Sequence, residues 1–270
     1  MNAESTLRDT LSYSSTIQKE GDGKLKAPEL FVKYLSESGY HPRSSKHGDK
    51  LCELLLADLM EECPAIRKAA QEGKICYNLN YSPGQGVPLG WNIDLAIGPP
   101  SSVEKRNTFP DGSPMKESPI ELWIAMDAKT IMTEHGKARR NRQRDLNSFS
   151  SILHMKNPKT IVGGLVVINC AGSFRSPLRD GEMTIHANIE RLVAESVKMF
   201  EDLPRAPSGG ADPKNLNQID AIGIIVLEYS NAMGEVAKLV TGSPAPQIGS
   251  PAHYNNFVKD ICTAFLTRYV

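Results

Sequence analysis

The chain has 270 residues, 40% hydrophobic and 23% charged, the balance of a globular protein long enough to bury a sizeable core. Lys plus Arg and Asp plus Glu each number 31, so the formal charge is zero. That excludes a polycationic, histone-like binding mode; any nucleic-acid contact must be a local basic patch.

The N-terminus, MNAESTLRDTLSYSS, lacks the apolar stretch of a signal peptide. No apolar run approaches the ~18 residues of a membrane span. A cytoplasmic protein with no membrane partner is the expectation. The five cysteines are scattered and form no CxxC pair, so buried free thiols are expected rather than zinc or disulfides.

Residues 1–25 are polar and Gly-punctuated, a loose arm. Residues 27–38 (APELFVKYLSES) have helical spacing and stop at Gly39. Residues 50–62 form a second helix, closed by Pro64. Residues 74–81 (KICYNLNY) alternate as a strand. The following SPGQGVPLG contains Gly84-x-Gly86, but a strand follows it, so it is a hairpin loop and not a nucleotide loop. Residues 91–98 (WNIDLAIG) form the second strand, with Ile93, Leu95 and Ile97 on one face and Asp94 on the other. A long Pro/Ser/Gly loop fills 99–118, and residues 120–128 are the third strand. A helix follows, with Leu146, Phe149, Ile152 and Leu153 as its apolar stripe. The nearly all-apolar 161–169 is a central strand covered on both faces. A helix near 185–203, a fifth strand at 220–228 and a closing helix at 252–270 complete the chain. The order α-α-β-β-β-α-β-α-β-α specifies an α/β layered fold, a central mixed five-stranded sheet flanked by helices.

Four acidic-x-Lys triplets occur in the chain. Asp22-Gly-Lys24, Glu72-Gly-Lys74 and Asp212-Pro-Lys214 carry Gly or Pro and fall in turns. Only Asp127-Ala128-Lys129 ends an apolar strand. Positions i and i+2 of a strand share a face, so a carboxylate and an ammonium project together from the sheet's C-terminal edge. Alone, such a triplet reads as an edge salt bridge. Asp94, in the middle of the neighbouring strand, changes that. Paired as a hairpin, the two strands bring Asp94 and Asp127 close. Two nearby ionised carboxylates are stable together when a hard divalent cation lies between them. Glu53, on the helix before the first strand, is a candidate third carboxylate.

Lys137, Arg139, Arg140, Arg142 and Arg144 crowd the start of the helix that follows. The helix dipole disfavours cations there, so an anion such as a DNA phosphate is the natural counterpart; a solvated charged face is the alternative. Gln143 among them is a candidate for a water or a base edge, and His135 for a phosphate contact. The remaining histidines show no ligand spacing, and no Ser or Cys nucleophile elbow is present.

Through Asp94 and Asp127-Ala128-Lys129 the chain resembles the PD-(D/E)xK nuclease superfamily, most of all its type II restriction endonuclease branch. The family core is a helix, three meandering strands, a helix and a strand, and it falls on residues 48–169 here. Ile93 stands where the motif's Pro would be. The resemblance implies a restriction-endonuclease-like core within a single nuclease domain over 1–270. A helical arm over 1–46 precedes the core, and an elaboration over 170–270 follows it. It implies Mg²⁺ held by Asp94 and Asp127, with the Ala128 carbonyl and Glu53. Lys129 would orient water and offset charge as duplex DNA is cut to 5′-phosphate and 3′-hydroxyl ends. Lys137, Arg139, Arg140, Arg142 and Gln143 would meet the DNA, while the 99–118 or 171–184 loops would read bases. Two cuts suggest a homodimer, and the restriction branch a separately encoded DNA methyltransferase. The competing expectations are a structure-directed repair or recombination nuclease, an idle nuclease fold that only binds DNA, and an α/β enzyme with a small substrate.

Overall fold

A computed structural model describes residues 26–83, 91–101, 112–179 and 181–270. The expected arm at 1–25, the Gly84-x-Gly86 turn and residues 102–111 of the 99–118 loop lie outside the described residues. In chain order the elements are α1 (Ala27–Ser38), α2 (Lys46–Glu62), α3 (Pro64–Gln71), β1 (Cys76–Tyr81), β2 (Ile93–Gly98), β3 (Met115–Lys116) and β4 (Ile124–Ile131). Then come α4 (His135–Lys156), β5 (Ile161–Asn169), β6 (Ser173–Arg175), β7 (Met183–Ile185), α5 (Ile189–Glu201), β8 (Ala221–Glu228), β9 (Lys238–Val240) and α6 (Tyr254–Tyr269).

The expected mixed sheet is present, but it has seven strands, in the order β3-β1-β2-β4-β5-β8-β9, with β6 and β7 paired separately. The five long strands match the sequence. The additions are two or three residues long, too short for an alternating pattern to register. β1, β2 and β4 form an antiparallel meander; β4, β5 and β8 run parallel through α4 and α5. One face packs α1, α2, α3 and α6 against Leu95, Met126, Leu165 and Ile225. The other packs α4 and α5 against Ala125, Val162, Val166 and Ile222. On the first face Gly163 and Gly223 let the Phe257 ring lie on the sheet: a Cβ at Gly223 would fall 2.9 Å from its ring carbons.

Four boundaries depart from expectation. The helix expected near 185–203 begins at Ile189, because Met183–Ile185 are paired as β7. Pro64 ends α2 and also begins α3, because proline's missing N–H costs nothing in the first turn of a helix. α2 starts at Lys46, four residues before the expected 50. β4 is shifted along the chain: Ile120 is 69% exposed, outside the sheet, whereas Lys129, Thr130 and Ile131 pair with Val166, Val167 and Ile168 of β5. The long apolar β5 supplies ladder partners beyond the polar triplet, so Asp127-Ala128-Lys129 sits inside the strand and not at its end.

Cys63 and Cys262 form a disulfide, Cα–Cα 5.5 Å, tying the α2–α3 junction to α6. This corrects the expectation that all five cysteines are free. Their separation of 199 residues gives no spacing signal. Cys52 and Cys76 are buried thiols, as expected. Among the described residues no helix is long and apolar enough to cross a membrane.

Candidate functional site

The site is built on a break in the sheet. The β2–β4 ladder runs through Ile97↔Ile124, Ala96↔Ala125 and Leu95↔Met126 and then stops. The β1–β2 ladder skips the Asn80–Asp94 pair, where Asn80 takes a left-handed conformation with φ 49°. Strict alternation fails there too: Ile93 joins Ala96 on the α4 face, while Leu95 and Ile97 pack on the other. Freed from the ladder, the Asp94 side chain does the ladder's work. Its Oδ2 accepts the Ala128 amide at 2.7 Å, tying β2 to β4.

That bond sets Asp94 against Asp127, the two carboxyls within hydrogen-bonding reach. Asp127 is 3% exposed. Lys129 Nζ donates to its Oδ1 at 2.5 Å. Burial drives the Asp127 carboxyl up to about 7; Lys129 pulls against that rise and Asp94 adds to it. Burial works against the Lys129 charge, but the Asp127 carboxylate more than restores it, so its pKa lies above the ordinary value. Asp145 of α4 adds to the same field. The structure thus brings together Asp94, Asp127, Ala128 and Lys129.

Glu53, the third candidate carboxylate, has a basic partner of its own. It is buried on α2, with Lys50 Nζ at 3.7 Å and Lys116 of β3 acting on its charge. Its charge acts on the buried Cys52 thiol together with those of Asp94, Asp49 and Asp127. One turn earlier on the same helix is Asp49. Its carboxylate accepts from Asn80 Nδ2 and from Ser45 Oγ at 3.3 Å. Burial raises its pKa, and the charge of Asp94 adds to the rise. Sequence reading missed Asp49 because the expected helix began one residue after it. The i, i+4 spacing to Glu53 was the available signal. Among the described residues no group of three or more His, Cys, Asp or Glu side chains is arranged to hold a metal ion.

The basic run divides. Arg139 is turned inward to Glu195 of α5 at 2.6 Å. Arg142 meets Asp145 at 3.1 Å, and its charge reaches Tyr40. Lys137, Arg140 and Arg144 are exposed, and Gln143 is half-buried. No acidic residue occupies the first turn of α4. His135 is 2% exposed, with Nε2 against the Asn169 carbonyl at 2.6 Å. It fastens α4 to the end of β5 and has no surface to offer a phosphate.

Beside Asp94 opens a cleft of about 150 Å³ walled by Tyr40, His47, Asn80, Asp94, Ala128 and Thr130. A larger cavity of about 550 Å³, between β9 and the start of α6, lies away from the carboxyl pair. No family model, curated protein or solved structure matches this chain, so the functional reading rests on the geometry of the site.

Proposed function

We propose that the chain is a Mg²⁺-dependent endonuclease that hydrolyses phosphodiester bonds in duplex DNA, a site-specific enzyme of the type II restriction kind on a PD-(D/E)xK core. The observation that carries this reading is the pairing of buried Asp127 with half-buried Asp94 on adjacent antiparallel strands, with Lys129 bonded to Asp127. The order α2-α3-β1-β2-β4-α4-β5 supports it, with the two-residue β3 paired on the outer edge of β1, outside the three-strand meander.

The donor set fits a small hard cation. Mg²⁺ is commonly held by one or two carboxylates while keeping several waters. Asp94 and Asp127 would be its ligands. The Ala128 carbonyl would join them, because a strand residue's N–H and C=O face the same neighbour and the Ala128 N–H already faces Asp94. Asp49 is better placed than Glu53 to assist. A bound divalent cation supplies Lewis-acid stabilisation of charge on the scissile phosphate. Asp127 is raised toward neutrality by burial, so a cation held there would take the place of its proton. Lys129 keeps its proton at Nζ and offsets negative charge as attack proceeds. The exposed Lys137, Arg140 and Arg144 on α4 position the backbone, and Arg142 approaches from the same helix. A homodimer presents two such centres, and a cognate methyltransferase would protect the host sequence.

One observation favours a second reading. The lack of a third carboxyl or imidazole arranged for metal among the described residues suits an idle nuclease fold that only binds DNA. Incubation of the protein with plasmid DNA separates the two. The nuclease reading expects Mg²⁺-dependent cuts, abolished by EDTA, with 5′-phosphate ends at one recurring sequence. Cuts only at branched junctions would indicate the repair type. Salt-sensitive binding in Ca²⁺ with no cutting in Mg²⁺ would leave the idle fold, and no binding at all would remove both.

A further inference from the structure

A second basic stretch lies beside the cleft at Asp94, and the site described above makes no use of it. The connection from α1 into α2 reads HPRSSKHGDK over 41–50. Arg43, Lys46 and Lys50 are set there against one carboxylate, Asp49, which already accepts from Asn80 and Ser45. Arg43 and Lys46 are exposed. Pro42, Ser44, Ser45 and His47 line the cleft, so each of the two exposed cations is flanked in the chain by residues of the cleft wall. The turn is held by its own bonds. The His41 amide donates to Nε2 of buried His47 at 3.0 Å, the Ser44 amide to the His41 carbonyl at 3.0 Å, and the Lys46 amide to Ser44 Oγ at 3.3 Å. A backbone fixed in this way presents its cations with little left to order on binding.

The charge around the cleft favours a polyanion. The basic start of α4 comes to the same wall: Tyr40 lines the cleft, its hydroxyl bonds Thr130 at 2.7 Å, and the Arg142 charge reaches it. Lys46 is the first residue of α2 and Lys137 lies in the first turn of α4. At both places the helix dipole disfavours a cation, and an anion offsets it. A phosphate brought up to Asp94 meets carboxylates of its own sign, so cations along its approach are needed to hold it there. Cations spread over two elements suit a chain of phosphates better than a single one.

We propose that the 41–46 turn is a second nucleic-acid contact, in which Arg43 and Lys46 hold phosphates of the strand that comes to the cleft at Asp94 while α4 holds the same backbone farther along. This rests on the nuclease reading above. It adds a second grip on the strand, and it gives these two cations to backbone positioning, with no part in base readout.

The test is affinity for a short duplex in Ca²⁺, followed by fluorescence anisotropy across roughly 50 to 200 mM salt. The double variant Arg43→Ala/Lys46→Ala is compared with wild type and with Lys68→Ala/Lys198→Ala, which removes two charges from exposed side chains on α3 and α5. The turn variant is expected to melt as wild type and to bind roughly tenfold more weakly at the lowest salt. Its slope of log affinity against log salt is expected to flatten by about 1.8, two contacts at about 0.9 each. The α3/α5 variant is expected to keep the wild-type slope, and Arg43→Lys/Lys46→Arg to keep both slope and affinity. KM for plasmid cleavage in Mg²⁺ is expected to rise in the turn variant. A turn variant with the wild-type slope, or an equal flattening in the α3/α5 variant, would overturn the proposal. A slope flattened by the turn variant alone, in a protein that cuts no DNA, supports the turn and removes the nuclease reading. Cleavage by wild type with the slope unchanged in the turn variant removes the turn alone. No duplex binding by wild type removes both.

Discussion

Asp94 illustrates how one residue can be both structural and chemical. By accepting the Ala128 amide it ties β2 to β4 beyond the point where their ladder stops, and in the same act it is held against Asp127. The identity of this pair was legible, because only one of the four acidic-x-Lys triplets lacks turn residues. The discarded Asp212-Pro-Lys214 is indeed a turn, with Asp212 Oδ1 accepting the Lys214 amide at 2.9 Å. The left-handed backbone at Asn80 was not legible, since a left-handed Asn leaves no pattern distinct from any other polar strand residue. Nor was Asp49, which a four-residue error in the start of α2 hid. The two α2 carboxylates now make a prediction. Asp49→Asn is expected to slow Mg²⁺-dependent cleavage roughly tenfold or more, an effect of about one pKa unit in energy. Glu53→Gln, whose partners are Lys50 and Lys116, is expected to stay near wild type. Rate measurements on the pair at saturating Mg²⁺ decide; a larger loss in Glu53→Gln would restore Glu53 to the site and remove Asp49.

At the scale of elements, α2 is the piece on which the site depends, since it carries Asp49 and His47 and walls the cleft. It is fixed at its far end by Asp58, which accepts the Ala27 amide at 2.8 Å and the Tyr254 hydroxyl at 2.7 Å. One carboxyl thereby joins α1, α2 and α6. Asp58 is 8% exposed, and burial raises its pKa to about 6. A carboxyl raised on folding favours the folded state while protonated. Its stabilisation is complete below the unfolded value near pH 4 and is lost as pH climbs through about 6. Wild type should therefore lose on the order of 3 kcal/mol relative to Asp58→Asn between pH 4 and pH 7. Paired denaturant titrations across that range test it, and parallel pH profiles for the two proteins would contradict it. The helices and long strands were legible from periodicity. The two- and three-residue strands were not, because register alone creates them. The Cys63–Cys262 link was hidden by its span, since only folding brings α6 to the α2–α3 junction.

For the whole molecule, a net charge of zero conceals a sharply divided distribution. Asp127 is buried in the sheet with Asp94 half-buried beside it, while α4 exposes Lys137, Arg140 and Arg144. Helices on both faces hold the meander and the parallel strands as one layer, and Asp94, Asp127 and Lys129 lie where the antiparallel half meets the parallel half, at β4. The sequence alone pointed to that junction, because an apolar strand with a polar triplet followed by a basic helix is a local pattern. It did not give the depth of burial of Asp127, which comes from β5 and α4 closing over it. The central claim is that Asp94, Asp127 and Lys129 act together on DNA. The most direct test is the rate of duplex cleavage in Mg²⁺ by wild type, Asp94→Asn, Asp127→Asn and Lys129→Ala, with folding checked by circular dichroism. Each variant is expected to keep its fold and lose roughly 10²-fold or more in rate. Cleavage by Asp127→Asn and Lys129→Ala as fast as wild type would contradict the account.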